Sequence, residues 1–178
     1  MVSQTIATPW GNPLPSDLPR LFLARHGNTA WTDSRQRTGR TDLPLNEHAG
    51  FGEVAEVDPD LVEWDYGRYE GKLTRHILKE QPGWEMFRDG CPHGESPNDV
   101  AARADRFIAR VRRIEGDILA FSSAHIIRMI AARWLGLPPE AGRFFFCRPA
   151  SVGVLAFEHT SRDEPIVGLW NYVTPPRE

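Results

Sequence analysis

The chain of 178 residues has only two cysteines, Cys91 and Cys147. They stand far apart in no disulfide or metal-ligand spacing, which argues against a cross-linked scaffold or a zinc site and predicts a small buried side chain at each. Nowhere does an apolar run approach the ~18 residues of a membrane span, and the amino terminus lacks a charged stretch leading into an apolar one, so a soluble, cytoplasmic protein is expected. A basic excess is missing too. The net charge of −3 argues against a general nucleic-acid or anionic-membrane binder. Internal repeats and low-complexity tracts are absent, and no cluster of metal spacing occurs, so neither a metal nor another cofactor is implied.

What is present suits one domain over residues 1–178: 40% of the residues are hydrophobic and 25% charged, enough for a real core. Residues 1–19, with Pro9, Pro13, Pro15 and Pro19, predict an irregular lead-in. The clearest helix starts with Ser96 as N-cap and Pro97 at its first position, and repeats apolar groups at Val100, Ala104, Phe107, Ile108, Val111 and Ile114. A strand is expected over 117–122 and a helix over 126–135, then two closing strands over 151–158 and 166–172, with Arg162-Asp163 in the turn between them. Recurring strand, loop and helix favour an α/β fold with a mostly parallel sheet. Phe144-Phe145-Phe146 reads as core or cap packing.

The most informative run is Leu21-Phe22-Leu23-Ala24-Arg25-His26-Gly27-Asn28-Thr29. Four apolar residues end in a cation, an imidazole and a glycine, as in a buried strand that delivers charge to a loop where α/β sheets bind ligands. Arg25 offers a fork of donors matched to phosphate or carboxylate, and His26 can serve as base, acid or nucleophile near neutral pH. A polar loop follows, Gln36-Arg37-Thr38-Gly39-Arg40-Thr41-Asp42, whose glycine permits close backbone approach to a ligand. Next come Leu61-Val62-Glu63-Trp64-Asp65-Tyr66-Gly67-Arg68-Tyr69-Glu70-Gly71, then Asp89-Gly90-Cys91-Pro92-His93-Gly94-Glu95-Ser96 and Ala131-Ala132-Arg133-Trp134-Leu135-Gly136.

In this order the blocks resemble the histidine phosphatase superfamily, the phosphoglycerate-mutase-like fold, and most closely its acid- and sugar-phosphatase members, over roughly residues 20 to 160. The resemblance implies a three-layer sandwich, a central sheet flanked by helices. It also implies that His26 attacks phosphorus and carries the phosphoryl group, that Arg25 holds the equatorial oxygens, and that Glu63 is the general acid and base. Asn28, Thr38, Gly39 and Ser123 join Arg25 as candidate substrate-binding residues. A carboxyl that donates a proton must first hold one, which favours acidic pH unless its pKa is raised.

Two departures from the family pattern stand out. Relatives place a helix, a strand ending in Ser-Pro and a second phosphate-binding arginine before the glutamate block, whereas only 46–62 lie between Leu45 and Glu63 here. Either the chain lacks that strand and its helices, or about 35 residues have dropped from the sequence as written. The second alternative is favoured, because losing a central strand exposes unpaired backbone groups. In Phe121-Ser122-Ser123-Ala124-His125-Ile126-Ile127-Arg128, the family's second catalytic histidine, five residues before an arginine, falls on Ser123. Alternatively a small gap shifts the register and His125 is that histidine, so His125 is the third catalytic candidate.

The expected function is phosphomonoester hydrolysis on small phosphorylated metabolites through phospho-His26. The alternatives are a phosphoglycerate-mutase-type phosphotransferase, for which little chain follows the last strand to form a lid, and a catalytically impaired protein that binds a phosphate ligand. Trp64, Tyr66, Trp84 and Arg88 are open between pocket lining, core and surface. A homodimer through an exposed strand edge is a further expectation.

Overall fold

The computed structural model describes residues 18–27, 37 and 56–173. Among the described residues four strands form one sheet, β1 (Leu21–Arg25), β2 (Ile118–Ser122), β3 (Val152–Phe157) and β4 (Pro165–Tyr172), in the order β2-β1-β3-β4. β1 and β2 are parallel, from Leu21 opposite Ile118 to Arg25 opposite Ser122. β3 is antiparallel to both β1 and β4. The sheet is therefore mixed rather than mostly parallel. The short connection over 158–164 returns β4 as a hairpin, the turn expected there, while the antiparallel pairing of β3 with β1 is what departs from a mostly parallel sheet.

Among the described residues four helices accompany the sheet, α1 (Thr74–Glu80), α2 (Met86–Asp89), α3 (Pro97–Val111) and α4 (Ala124–Trp134), with short 3-10 helices at Pro59–Leu61, Gly67–Tyr69 and Pro139–Phe144. α3 begins where its cap chemistry dictates. Ser96 Oγ accepts from Asp99 N at 3.2 Å while Asp99 Oδ2 accepts from Ser96 N at 2.9 Å, a reciprocal capping box. Its apolar stripe, Val100, Ala104, Phe107, Ile108 and Val111, is buried. Ile114 falls beyond the helix end and is exposed. There Arg112 leaves the helix to stack on Trp134 and to donate to its carbonyl at 3.1 Å.

The core is rich in aromatic rings that meet edge-on, Trp64 with Phe87 and Tyr69 with Trp84, both at 5.3 Å between centroids. Each buried indole finds an acceptor: Trp64 donates to Glu95 O, Trp84 to Gly90 O and Trp134 to Ala156 O, as burial of a polar N–H requires. Cys91 and Cys147 are free and buried, and burial pushes both thiols up, Cys91 to about 12. Of the proline-rich lead-in, Leu18 and Pro19 carry no regular structure and the rest lies outside the described residues. Among the described residues no helix is long and apolar enough to cross a membrane.

Candidate active site

Because β1 and β2 are parallel, their carboxyl ends open side by side, and the chain leaves them as Arg25-His26-Gly27 and Ser122-Ser123-Ala124. His26 is pinned by its backbone on both sides: its N–H donates to Ser122 O at 3.0 Å, and its carbonyl accepts from Ala150 N at 3.2 Å. Its ring is oriented as well. His26 Nδ1 lies 2.7 Å from the carbonyl of Gly27, which can only accept, so Nδ1 carries the hydrogen and Nε2 is left with the lone pair. Arg25 donates from a terminal nitrogen to Cys147 O at 2.6 Å. Its Nε is buried with no hydrogen-bond partner among the described residues.

Glu63 is buried at the start of α4. One carboxylate oxygen accepts from Trp64 N at 2.9 Å and Ile126 N at 3.0 Å, the other from His125 N at 3.1 Å. Two of these three donors are otherwise orphaned groups of a helix amino terminus. This explains why α4 begins at Ala124, two residues ahead of the expected start at 126. Burial alone would raise the Glu63 pKa, but His125 and the backbone donors override it and hold the carboxyl down at about 2. Proton donation by Glu63 was expected to favour acidic pH unless its pKa is raised, and here the pKa is lowered. Three N–H groups solvate the anion.

His125 Nδ1 lies 2.7 Å from the Tyr66 hydroxyl and 3.4 Å from Glu63 Oε2. Burial pushes His125 down to about 4, against the attraction of Glu63, and burial likewise pushes the Tyr66 phenol well above its ordinary value. At neutral pH the cluster is thus an anionic Glu63, a neutral imidazole and a phenol that keeps its proton. Ser123, the N-cap of α4, makes no side-chain capping bond.

A second ring of contacts fixes the loop that carries Glu63. Arg103, on α3, donates to the carbonyls of Asp60 and Val62, each at 2.9 Å, and forks onto Glu95 at 2.7 and 2.8 Å. Glu95 in turn accepts from Asp65 N at 2.9 Å. Asp60 receives Arg106 at 2.7 Å and Arg110 at 2.6 Å. Burial raises the Asp60 pKa, but these two arginines outweigh it and the net shift is downward. Gly67 and Gly94 let two backbones touch, since a Cβ on Gly94 would lie 2.2 Å from Asp65 O and one on Gly67, at φ +49°, 2.4 Å from Pro92 O.

The expected residues divide clearly. His26, Arg25 and Ser123 come together at the ends of β1 and β2, and Glu63 and His125 meet at the first turn of α4. Asn28, Thr38 and Gly39 lie outside the described residues. Trp64 and Trp84 belong to the core, and Arg88 is a surface group paired with Asp89 at 2.7 Å. Tyr66, the fourth of that group, is buried and its hydroxyl reaches His125. Asp60 and Arg103 were missed as contributors. Arg37, whose guanidinium stacks over Tyr66 and Trp84 at 5.4 and 4.8 Å, was also given no role. The phenylalanine run departs from the core reading, as Phe144 and Phe146 are 72% and 63% exposed. Among the described residues no group of His, Cys, Asp or Glu is placed to hold a metal ion.

Comparison with known proteins adds the following. The sequence pattern of the histidine phosphatase superfamily (branch 1) matches residues 21–50 and 48–171. An acid phosphatase of Mycobacterium tuberculosis is 33% identical over 193 residues, covering 88% of this chain and 95% of that protein. A sedoheptulose 1,7-bisphosphatase of Saccharomyces cerevisiae is 29% identical over 266 residues, covering 93% of this chain and 97% of that one. The solved structure of a Mycobacterium tuberculosis open reading frame superposes with a TM-score of 0.80 at 30% identity, over 87% of this chain and 98% of that one. Both alignments with relatives run longer than the 178 residues of this chain, so those proteins carry residues without a counterpart here. The family match breaks at 48–50, within the span too short for the expected strand and helices.

Proposed function

The chain belongs to the histidine phosphatase superfamily, and from that premise we propose that it hydrolyses phosphomonoesters of small metabolites through a phosphohistidine on His26. The observation that carries the reading is the His26 ring itself. With Nδ1 against the Gly27 carbonyl at 2.7 Å, the free Nε2 pair is the nucleophile. It forms the N–P bond as the P–O bond to the leaving alcohol breaks. The alkoxide takes a proton from the Glu63 carboxyl. Glu63 then removes a proton from water, whose oxygen attacks phosphorus and returns Nε2 as phosphate departs.

Arg25, with its buried Nε unpartnered among the described residues, supports the role of holding phosphoryl oxygens whose charge persists through the transition state. Asn28, Thr38, Gly39 and Ser123 complete the proposed phosphate site, with His125 nearby as a neutral donor or acceptor. A phosphomonoester dianion beside Glu63 would lift its pKa from about 2, so protonation of the general acid is coupled to substrate binding and favoured at acidic pH. The proposal takes the complete fold to be the superfamily's three-layer sandwich. It takes the enzyme to act in the cytoplasm, alone or as a homodimer, on a small phosphorylated substrate rather than on nucleic acid or a membrane.

The test is release of p-nitrophenol from p-nitrophenyl phosphate at acidic and neutral pH. Hydrolysis well above that of His26→Ala is expected, and release no greater than that control would sink the proposal. One observation favours a second reading. On the register that sets Ser123 against the family's second histidine, a hydroxyl without positive charge replaces an imidazole, and Glu63, held ionised with its pKa at about 2, has no proton to give, which together would leave binding of a phosphate ligand without turnover. Tight phosphate binding by calorimetry with no turnover across a panel of phosphomonoesters would select that reading.

A further inference from the structure

Phe144-Phe145-Phe146 lies beside the candidate site, fastened there by two side chains that belong to the site's own elements. Arg128, from the beginning of α4, donates to Gly142 O at 3.0 Å and Arg143 O at 2.9 Å. Arg25, the last residue of β1, donates to Cys147 O at 2.6 Å. The three phenylalanines are therefore bracketed between the helix that starts after Ser123 and the strand that delivers His26. Only the middle ring is packed, Phe145 against Trp170 at 5.5 Å, while Trp170 also ties down Phe146 O at 2.7 Å. Phe144 and Phe146 are 72% and 63% exposed, and the Arg143 guanidinium covers one face of Phe144 at 4.7 Å. Core packing accounts for Phe145 and leaves the other two rings unexplained. Two exposed aromatic rings on a backbone held at both ends suit an apolar ligand group.

We propose that Phe144 and Phe146 form an apolar wall beside the phosphoryl site that receives the leaving group, so that phosphomonoesters of aromatic or apolar alcohols are preferred over those of small polar ones. This rests on the phosphatase reading. Arg25 and His26 meet a phosphoryl group common to every substrate, so discrimination must come from what the rest of the molecule touches. Covering one phenyl group against these rings is worth about tenfold or more in affinity.

The test compares benzylphosphonate and methylphosphonate by calorimetry on the full chain. Both carry the same dianionic head on a carbon–phosphorus bond that is not hydrolysed, so turnover is not needed. Benzylphosphonate is expected to bind about tenfold tighter or better. In the F144S/F146S double variant that preference should fall toward unity while methylphosphonate affinity is unchanged. Phe145 and its contact with Trp170 are left intact, and an unchanged urea midpoint verifies the fold. Equal affinity of the wild type for both probes, or a preference that survives in the double variant, overturns the wall and leaves the phosphatase reading standing. Binding of neither probe nor of inorganic phosphate overturns both.

Discussion

Replacing Glu63 by glutamine keeps the shape of the side chain and removes its charge, and the geometry around it sets the consequence. The carboxylate accepts three backbone N–H groups, whereas the amide offers one acceptor oxygen and turns an NH2 toward donors. A fall in pKa from 4.5 to about 2 corresponds to about 3 kcal/mol of folding stability carried by the ionised form. Leaving one or two buried donors unpaired predicts a similar cost of about 1–3 kcal/mol each. Since the folded carboxyl titrates below the unfolded one, its contribution is complete above about pH 4.5 and is lost as the pH falls toward about 2. Glu63→Gln should thus be about 3 kcal/mol less stable than wild type at pH 7, and only about half that at pH 3. Urea unfolding followed by tryptophan fluorescence reads the difference at each pH. A gap below about 0.5 kcal/mol at pH 7, or one that does not change with pH, would refute the anchoring of Glu63 by the α4 amino terminus.

Other expectations follow from the same contacts. His125 is buried neutral with its pKa lowered from 6.5 to about 4, so the unfolded chain binds the extra proton first. Stability should be intact above about pH 6.5 and decline as the pH falls toward about 4, a slope that His125→Gln flattens in pH-dependent urea titrations. Arg103→Ala, which strips two loop carbonyls and the Glu95 carboxylate of their partner, should cost about 3 kcal/mol and speed amide exchange selectively over 60–66. Ser123→His tests the register that sets Ser123 against the family's second histidine. If the serine limits turnover, p-nitrophenyl phosphate hydrolysis should rise by about 10²-fold, whereas no gain would mean that His125 already fills the role.

How much was legible in the sequence depends on how local the chemistry is. Ser96, Pro97 and Asp99 write the start of α3 within four consecutive residues, so that helix was readable to the residue, whereas its end was set by the stacking of Arg112 on Trp134, a partner on another helix. The apolar run into Arg25-His26-Gly27 placed a strand end correctly, because that depends on neighbours in the chain. The mixed sheet was misjudged because β3 runs antiparallel to β1, a pairing between distant segments that the strands' own pattern does not encode. Glu63 and the α4 amino terminus are separated by 62 residues. No spacing rule connects them, so the depressed pKa of Glu63, the early start of α4 and the Tyr66–His125 contact became visible only in three dimensions.

The central claim is that Nε2 of His26 takes the phosphoryl group. The most direct measurement is a rapid acid-free quench of the protein with p-nitrophenyl phosphate, followed by intact mass and peptide mapping. The account predicts one added phosphoryl group, on the peptide holding His26, stable to alkali, labile to acid and missing from His26→Ala. Turnover without such an adduct, or an adduct that persists in His26→Ala, would contradict it.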